Sequence, residues 1–138
     1  MSDDYIDISQ PVRATTPVWP GDTPFSIDET WTIGDGCPVR VSKLTLSTHT
    51  GTHADAHSHY ATTGQDAAAR DLAPYLGRCL VVDARGGEGA VRLDEVAAAV
   101  DACSRPPERV LLRTFDTFPL EAWPDDFRAV SAELIEAL

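Results

Sequence analysis

A chain of 138 residues, 43% hydrophobic and 24% charged, fits one soluble domain that can bury its own core without a disulfide framework. Its net charge of -11 argues against a nucleic-acid partner, which needs a basic footprint, and against an anionic membrane surface. Met1-Ser2-Asp3-Asp4-Tyr5 has no basic n-region or apolar run of a signal peptide, and stretches such as Cys79-Leu80-Val81-Val82 fall far short of the ~20 residues of a membrane span. Cys37, Cys79 and Cys103 are odd in number and never form a CxxC pair, so they read as buried reduced thiols of a cytoplasmic protein.

In chain order, residues 5–9 alternate apolar and polar and predict a short strand. A proline-rich loop follows from 11 to 24, stiffened by Pro17, Pro20 and Pro24, with Pro20-Gly21-Asp22 as a turn. Residues 25–33 and 39–47 predict two strands separated by Gly34-Asp35-Gly36. A buried strand is expected over 78–84, closed by Arg85-Gly86-Gly87. Leu93, Val96, Ala97, Val100 and Cys103 recur at helical spacing, so 93–103 predicts an amphipathic helix packed on the sheet. Residues 109–114 read as another strand and 115–126 as a loop rich in aromatics and prolines. Asp116 with Glu121, Asp125, Asp126, Glu133 and Glu136 reads as a solvated surface. Ser131 is placed to cap a final helix whose apolar face begins with Leu134, Ile135 and Leu138. The chain then stops after barely two turns, as if inside or just after an element that would continue. The order of elements predicts an α/β or α+β domain.

The chemistry concentrates at the end of the third predicted strand. All four histidines, His49, His53, His57 and His59, fall within eleven residues, with Asp55 among them. In a straight strand His49 and His53 would stand about 13 Å apart, too far to share an ion. The backbone must therefore bend between them, and Gly51 lies at the midpoint with the freedom to do so. His53 and Asp55, two apart, face one side in extended chain. Two imidazoles and a carboxylate suit zinc, and would also suit manganese or iron, with a position left open for water. His59 fits either an outer role or general acid/base work beside the metal. Trp19, on its stiffened loop, is either a surface packing anchor or a platform for an aromatic substrate. No GxSxG nucleophile elbow is present, which disfavours a serine esterase.

Two motifs carry a resemblance. Asp7-Ile8-Ser9 with Thr16-Pro17-Val18-Trp19-Pro20-Gly21-Asp22-Thr23-Pro24, and Ser47-Thr48-His49-Thr50-Gly51-Thr52-His53-Ala54-Asp55-Ala56 followed by His59-Tyr60, resemble the cyclase-type family of metal-dependent hydrolases. The second motif is general to that family. The first, with its Trp-Pro-Gly-Asp, favours the members that hydrolyse N-formyl-L-kynurenine. The resemblance extends to 130–138 and covers this whole chain, but about the first two-thirds of a family member. It implies a swivelling β/β/α-type α/β domain with a mixed sheet, incomplete at its C-terminus. It also implies zinc (one or two Zn2+, with Mn2+ as the alternative), a homodimer, and hydrolysis of N-formyl-L-kynurenine to L-kynurenine and formate in tryptophan catabolism. By motif match, His49, His53 and Asp55 would be the ligands, with Asp55 bridging two ions, His59 the proton donor and acceptor, and Trp19 the substrate contact. A further His and Glu would come from beyond residue 138.

The family usually has proline after Asp-Ala, whereas this chain reads Asp55-Ala56-His57-Ser58-His59. His57 is then an added ligand, a change in the loop, or a solvated side chain, the last two being favoured. Two other functions compete: a related hydrolase of a cyclic amide or ester, similar to isatin hydrolases and using manganese, and a non-catalytic fragment serving assembly.

Overall fold

A computed structural model describes residues 5–138. It is mixed α/β, with its strands in two separate two-stranded sheets, one antiparallel and one parallel. Two compact units are present. One runs through Arg70 and takes in Pro119–Trp123; the other comprises Asp71–Phe118 and Pro124–Leu138. Among the described residues no helix is long and apolar enough to cross a membrane. The stretch Met1–Asp4, read above for a signal peptide, lies outside the described residues.

In the first unit, β1 (Ser26–Trp31) and β2 (Val41–Thr45) form an antiparallel hairpin. The predicted turn is there: Gly34 and Cys37 exchange both backbone hydrogen bonds at 3.1 Å. Register is fixed by Ile27 opposite Leu44 and by Asp28 opposite Lys43, which pair at 3.4 Å, and it shifts between Glu29 and Trp31. Both strands are shorter than predicted, because the pairing runs only from Ser26 opposite Thr45 to Trp31 opposite Val41. Residues 5–9 form no strand. Asp7 accepts a hydrogen bond from the Ser9 N–H at 2.9 Å, so a local side-chain turn takes the backbone donor that a sheet partner would need.

The second unit holds the core. β3 (Leu80–Asp83) and β4 (Val110–Arg113) pair in parallel, joined through α1 (Leu93–Asp101). Glu95 reaches back to the Arg92 N–H at 3.0 Å and, with Asp94, puts negative charge at the positive end of α1. The predicted helix over 93–103 relaxes into a turn after Asp101. Val96 of α1 packs against Val82, Ala84, Val91 and Leu134. The strand predicted as buried is only half so: Val82 is buried, but Val81 is 60% exposed. Ser131 caps α2 (Ala132–Ala137), its Oγ accepting from the Leu134 N–H at 3.2 Å, as its position predicts. Of the expected apolar face only Leu134 is buried, while Ile135 and Leu138 face solvent. Arg128 donates to Glu95 at 2.9 Å and to the carbonyls of Ala84, Gly89 and Ala90, tying α1 to the neighbouring loop. The three thiols are free, but none is buried as expected: Cys37 and Cys103 are half-buried and Cys79 is exposed.

Candidate metal centre

Beyond β2 the chain reaches Ser47 and turns, with the Thr50 N–H donating to the Ser47 carbonyl at 3.2 Å. Gly51 carries the bend that the His49–His53 spacing demands, at φ +66°. A side chain there would be strained and would meet Val12 at 3.1 Å. The N-terminal segment braces the same turn, the Gln10 N–H donating to Thr52 Oγ1 at 3.0 Å.

The bend brings three donors together. His49 Nδ1 lies 2.9 Å from Asp55 Oδ1, His53 Nε2 lies 3.4 Å from the same oxygen, and the two nitrogens are 3.2 Å apart. Zinc–ligand distances of about 2.0–2.1 Å in a tetrahedral site require donor–donor edges of roughly 3.3 Å, so this triangle has the size of one face of such a site. His59, on the 3-10 turn His57–His59, brings a ring nitrogen to within 4.8 Å of the donors of His49 and Asp55. Its ring centroid is 4.2 Å from that of His49.

The residues fit a divalent cation on a second count. Asp55 Oδ1 is buried and makes no hydrogen bond, although two imidazole nitrogens face it. An unsatisfied buried carboxylate oxygen is costly, and a cation among these donors satisfies it. The donors are already oriented. His53 Nδ1 is 2.9 Å from the Gly51 carbonyl, which fixes its proton there and leaves Nε2 as a lone pair. The Tyr60 hydroxyl donates to Asp55 Oδ2 at 2.6 Å, turning Oδ1 toward the imidazoles. That hydrogen bond, with the nearby histidines, lowers the Asp55 pKa from its ordinary value and raises that of Tyr60. The side chains of His49, His53 and Asp55 remain 33%, 33% and 30% exposed, which leaves one side open to water and substrate.

Trp19 is tied to this cluster by a short relay. The Asp22 N–H donates to the Trp19 carbonyl at 2.9 Å, closing the Pro-Gly turn. The Asp22 carboxylate lies beside the Ser47 hydroxyl, and Ser47 Oγ accepts from the His49 N–H at 3.1 Å. The Ser47 and Thr23 hydrogen bonds lower the Asp22 pKa, with a smaller contribution from His49. The Trp19 ring meets Trp123 edge-to-face, with centroids 5.3 Å apart. His57 stands aside: its Nε2 is 2.8 Å from Arg70 Nη1, which can only donate, so this nitrogen is an acceptor already in use.

Residues 6–137 match the sequence profile of the cyclase family. The chain is a member of that family. Among curated proteins it is 50% identical over 133 residues to the kynurenine formamidase of Maricaulis maris (strain MCS10), covering 96% of this chain and 62% of that protein. It is 46% identical to the kynurenine formamidase of Erythrobacter litoralis (strain HTCC2594), over 96% of this chain and 59% of that protein. It is 45% identical to that of Sphingopyxis alaskensis (strain DSM 13593 / LMG 18877 / RB2256), over 94% and 61%. The chain therefore spans about three-fifths of the length of the curated relatives it matches. Within this candidate site, sequence reasoning missed Tyr60, Ser47, Asp22 and Trp123. The first three were visible only as members of the two motifs, with no role attached, and nothing in the sequence marked Trp123.

Proposed function

We propose that this chain carries the metal-binding part of an arylformamidase, which hydrolyses N-formyl-L-kynurenine to L-kynurenine and formate in the kynurenine route of tryptophan breakdown. The observation that carries the reading is the triangle of His49, His53 and Asp55 with its buried, unsatisfied carboxylate oxygen. The 45–50% identity to kynurenine formamidases supports the choice of substrate. The profile match running through 6–137 supports treating the chain as one cyclase-type hydrolase domain.

His49, His53 and Asp55 would hold zinc. When bound, the ion supplies Lewis acidity toward the formyl oxygen and makes water acidic enough to act near neutral pH. The remaining work belongs to the chain. Tyr60 and the Gly51 carbonyl keep Asp55 and His53 in their orientations. His59, beside His49, takes the proton from the attacking water and returns it to the nitrogen of the departing arylamine. Trp19 receives the aryl ring. Exposed Ile27, Trp31 and Leu44 on the hairpin support association of two copies, and we place the protein in the cytoplasm.

The test is L-kynurenine release from N-formyl-L-kynurenine by the purified chain, with and without added zinc, beside His53→Ala. Zinc-dependent turnover that the substitution abolishes is the expected result. A folded, zinc-loaded chain without turnover would overturn the assignment of this activity to residues 1–138.

A further inference from the structure

The segment Pro119–Trp123 lies far downstream of the histidines, yet it belongs to the same compact unit as they do. Its last residue closes on Trp19 at 5.3 Å between centroids and 71° between planes. The geometry points to Trp123 as a specificity-determining residue: with Trp19 it forms an aromatic corner, tied to the His49 turn, that receives the aryl ring of an aryl formamide. This inference rests on the hydrolase reading above and deepens it by naming what selects the substrate.

Three features carry it. First, Trp19 is 57% exposed but not free to wander, because its carbonyl is held by the Asp22 N–H, and the Asp22 carboxylate lies beside Ser47, whose Oγ accepts from the His49 N–H. Two hydrogen bonds, with the Asp22 carboxylate beside the Ser47 hydroxyl between them, thus link the Trp19 backbone to that of His49. Second, the edge-to-face contact with half-buried Trp123 fixes the rotation that these backbone bonds leave open. Third, two indoles at 71° present a face and an edge at once. A planar aryl group stacked on one ring turns its edge to the other, the two arrangements that aromatic pairs prefer. An alkyl formamide of similar size gains neither contact, so the corner discriminates by ring rather than by formyl group.

The test titrates L-kynurenine into the chain without metal, following tryptophan emission, for the parent, Trp123→Leu, Trp123→Phe and the remote Trp31→Phe. Losing one aromatic contact should weaken L-kynurenine binding by about fivefold in Trp123→Leu and about twofold in Trp123→Phe. Trp31→Phe should bind as the parent does, and zinc affinity should be unchanged in all four. With zinc, KM for N-formyl-L-kynurenine should rise in Trp123→Leu at constant kcat, and turnover of N-methylformamide should not change. The inference is overturned if the parent does not bind L-kynurenine, if Trp123→Leu binds it as tightly, or if both substrates and zinc suffer equally. Failure of the zinc-loaded parent on both substrates would sink the hydrolase reading instead, while the metal-free titration still decides the corner.

Discussion

Removing the Tyr60 hydroxyl isolates what the oriented carboxylate contributes to the proposed metal centre. Tyr60→Phe keeps the ring, and with it the 4.5 Å contact to His59, but deletes the 2.6 Å hydrogen bond to Asp55 Oδ2. Asp55 then turns about its own side chain, and Oδ1 spends part of its time away from His49 Nδ1 and His53 Nε2. Losing a partner that orients a ligand costs about 10- to 100-fold in metal affinity. The Asp55 side chain is 30% exposed, so water replaces part of what is lost, and the low end of that range, about tenfold, is expected. Competition for zinc against a chromophoric chelator at constant pH reads the effect directly. Tyr60 is itself 77% exposed, so the unfolding midpoint of the metal-free chain should not move. Unchanged zinc affinity in Tyr60→Phe would refute the claim that this bond aims the carboxylate.

Three further predictions test the scaffold. A Cβ at Gly64 would lie 2.3 Å from the backbone carbonyl carbon of His57, so Gly64→Ala must push apart the loop that carries His59; urea unfolding should show a loss of about 1–3 kcal/mol, and an unchanged midpoint would contradict the close approach. Leu134 is fully buried, so Leu134→Ala should cost about 2–5 kcal/mol in the same assay while Ile135→Ala, at a 66% exposed position, costs little; equal losses would refute the docking of α2 through Leu134. Arg128 and the Arg92 N–H lower the Glu95 pKa from 4.5 to about 2. A carboxylate depressed in the folded state stabilises above its unfolded pKa, and that contribution disappears as pH falls from about 4.5 to about 2. Glu95→Gln should therefore flatten the decline in stability through that window; an acid profile identical to the parent's would show that the pair does not contribute.

The elements that could be read from the sequence were those whose signal is local. Gly34-Asp35-Gly36 specifies a reversal wherever the flanking strands pair, and Ser131 ahead of Leu134 caps a helix whatever it docks against. The strand expected over 5–9 failed for the same reason in reverse. Its alternation was real, but a strand needs a partner, and Asp7 offered the backbone a closer acceptor than any sheet did. Likewise, 78–84 was legible as a strand but not in its burial, since alternation and apolar content say nothing of which neighbours cover Val81. α1 showed its inward face through Val96 because helical periodicity marks a stripe, and the stripe is what packs.

At the candidate metal centre the same division separates donors from what aims them. His49, His53 and Asp55 were legible because their spacing around Gly51 allows only a bent backbone to unite them, and φ +66° at that glycine is the bend. What keeps them united was not legible. The Tyr60 hydroxyl, the Gly51 carbonyl and the Ser47 hydroxyl act through single hydrogen bonds that no residue pattern specifies. Trp123 is further still from legibility, since its partner, Trp19, lies at the other end of the chain. Metal affinity and substrate choice should therefore separate under mutation. Changes at Tyr60 act on zinc and leave aryl discrimination in place, whereas changes at Trp123 do the reverse. Asp22, joined to both Trp19 and Ser47, is the position at which the two should fall together.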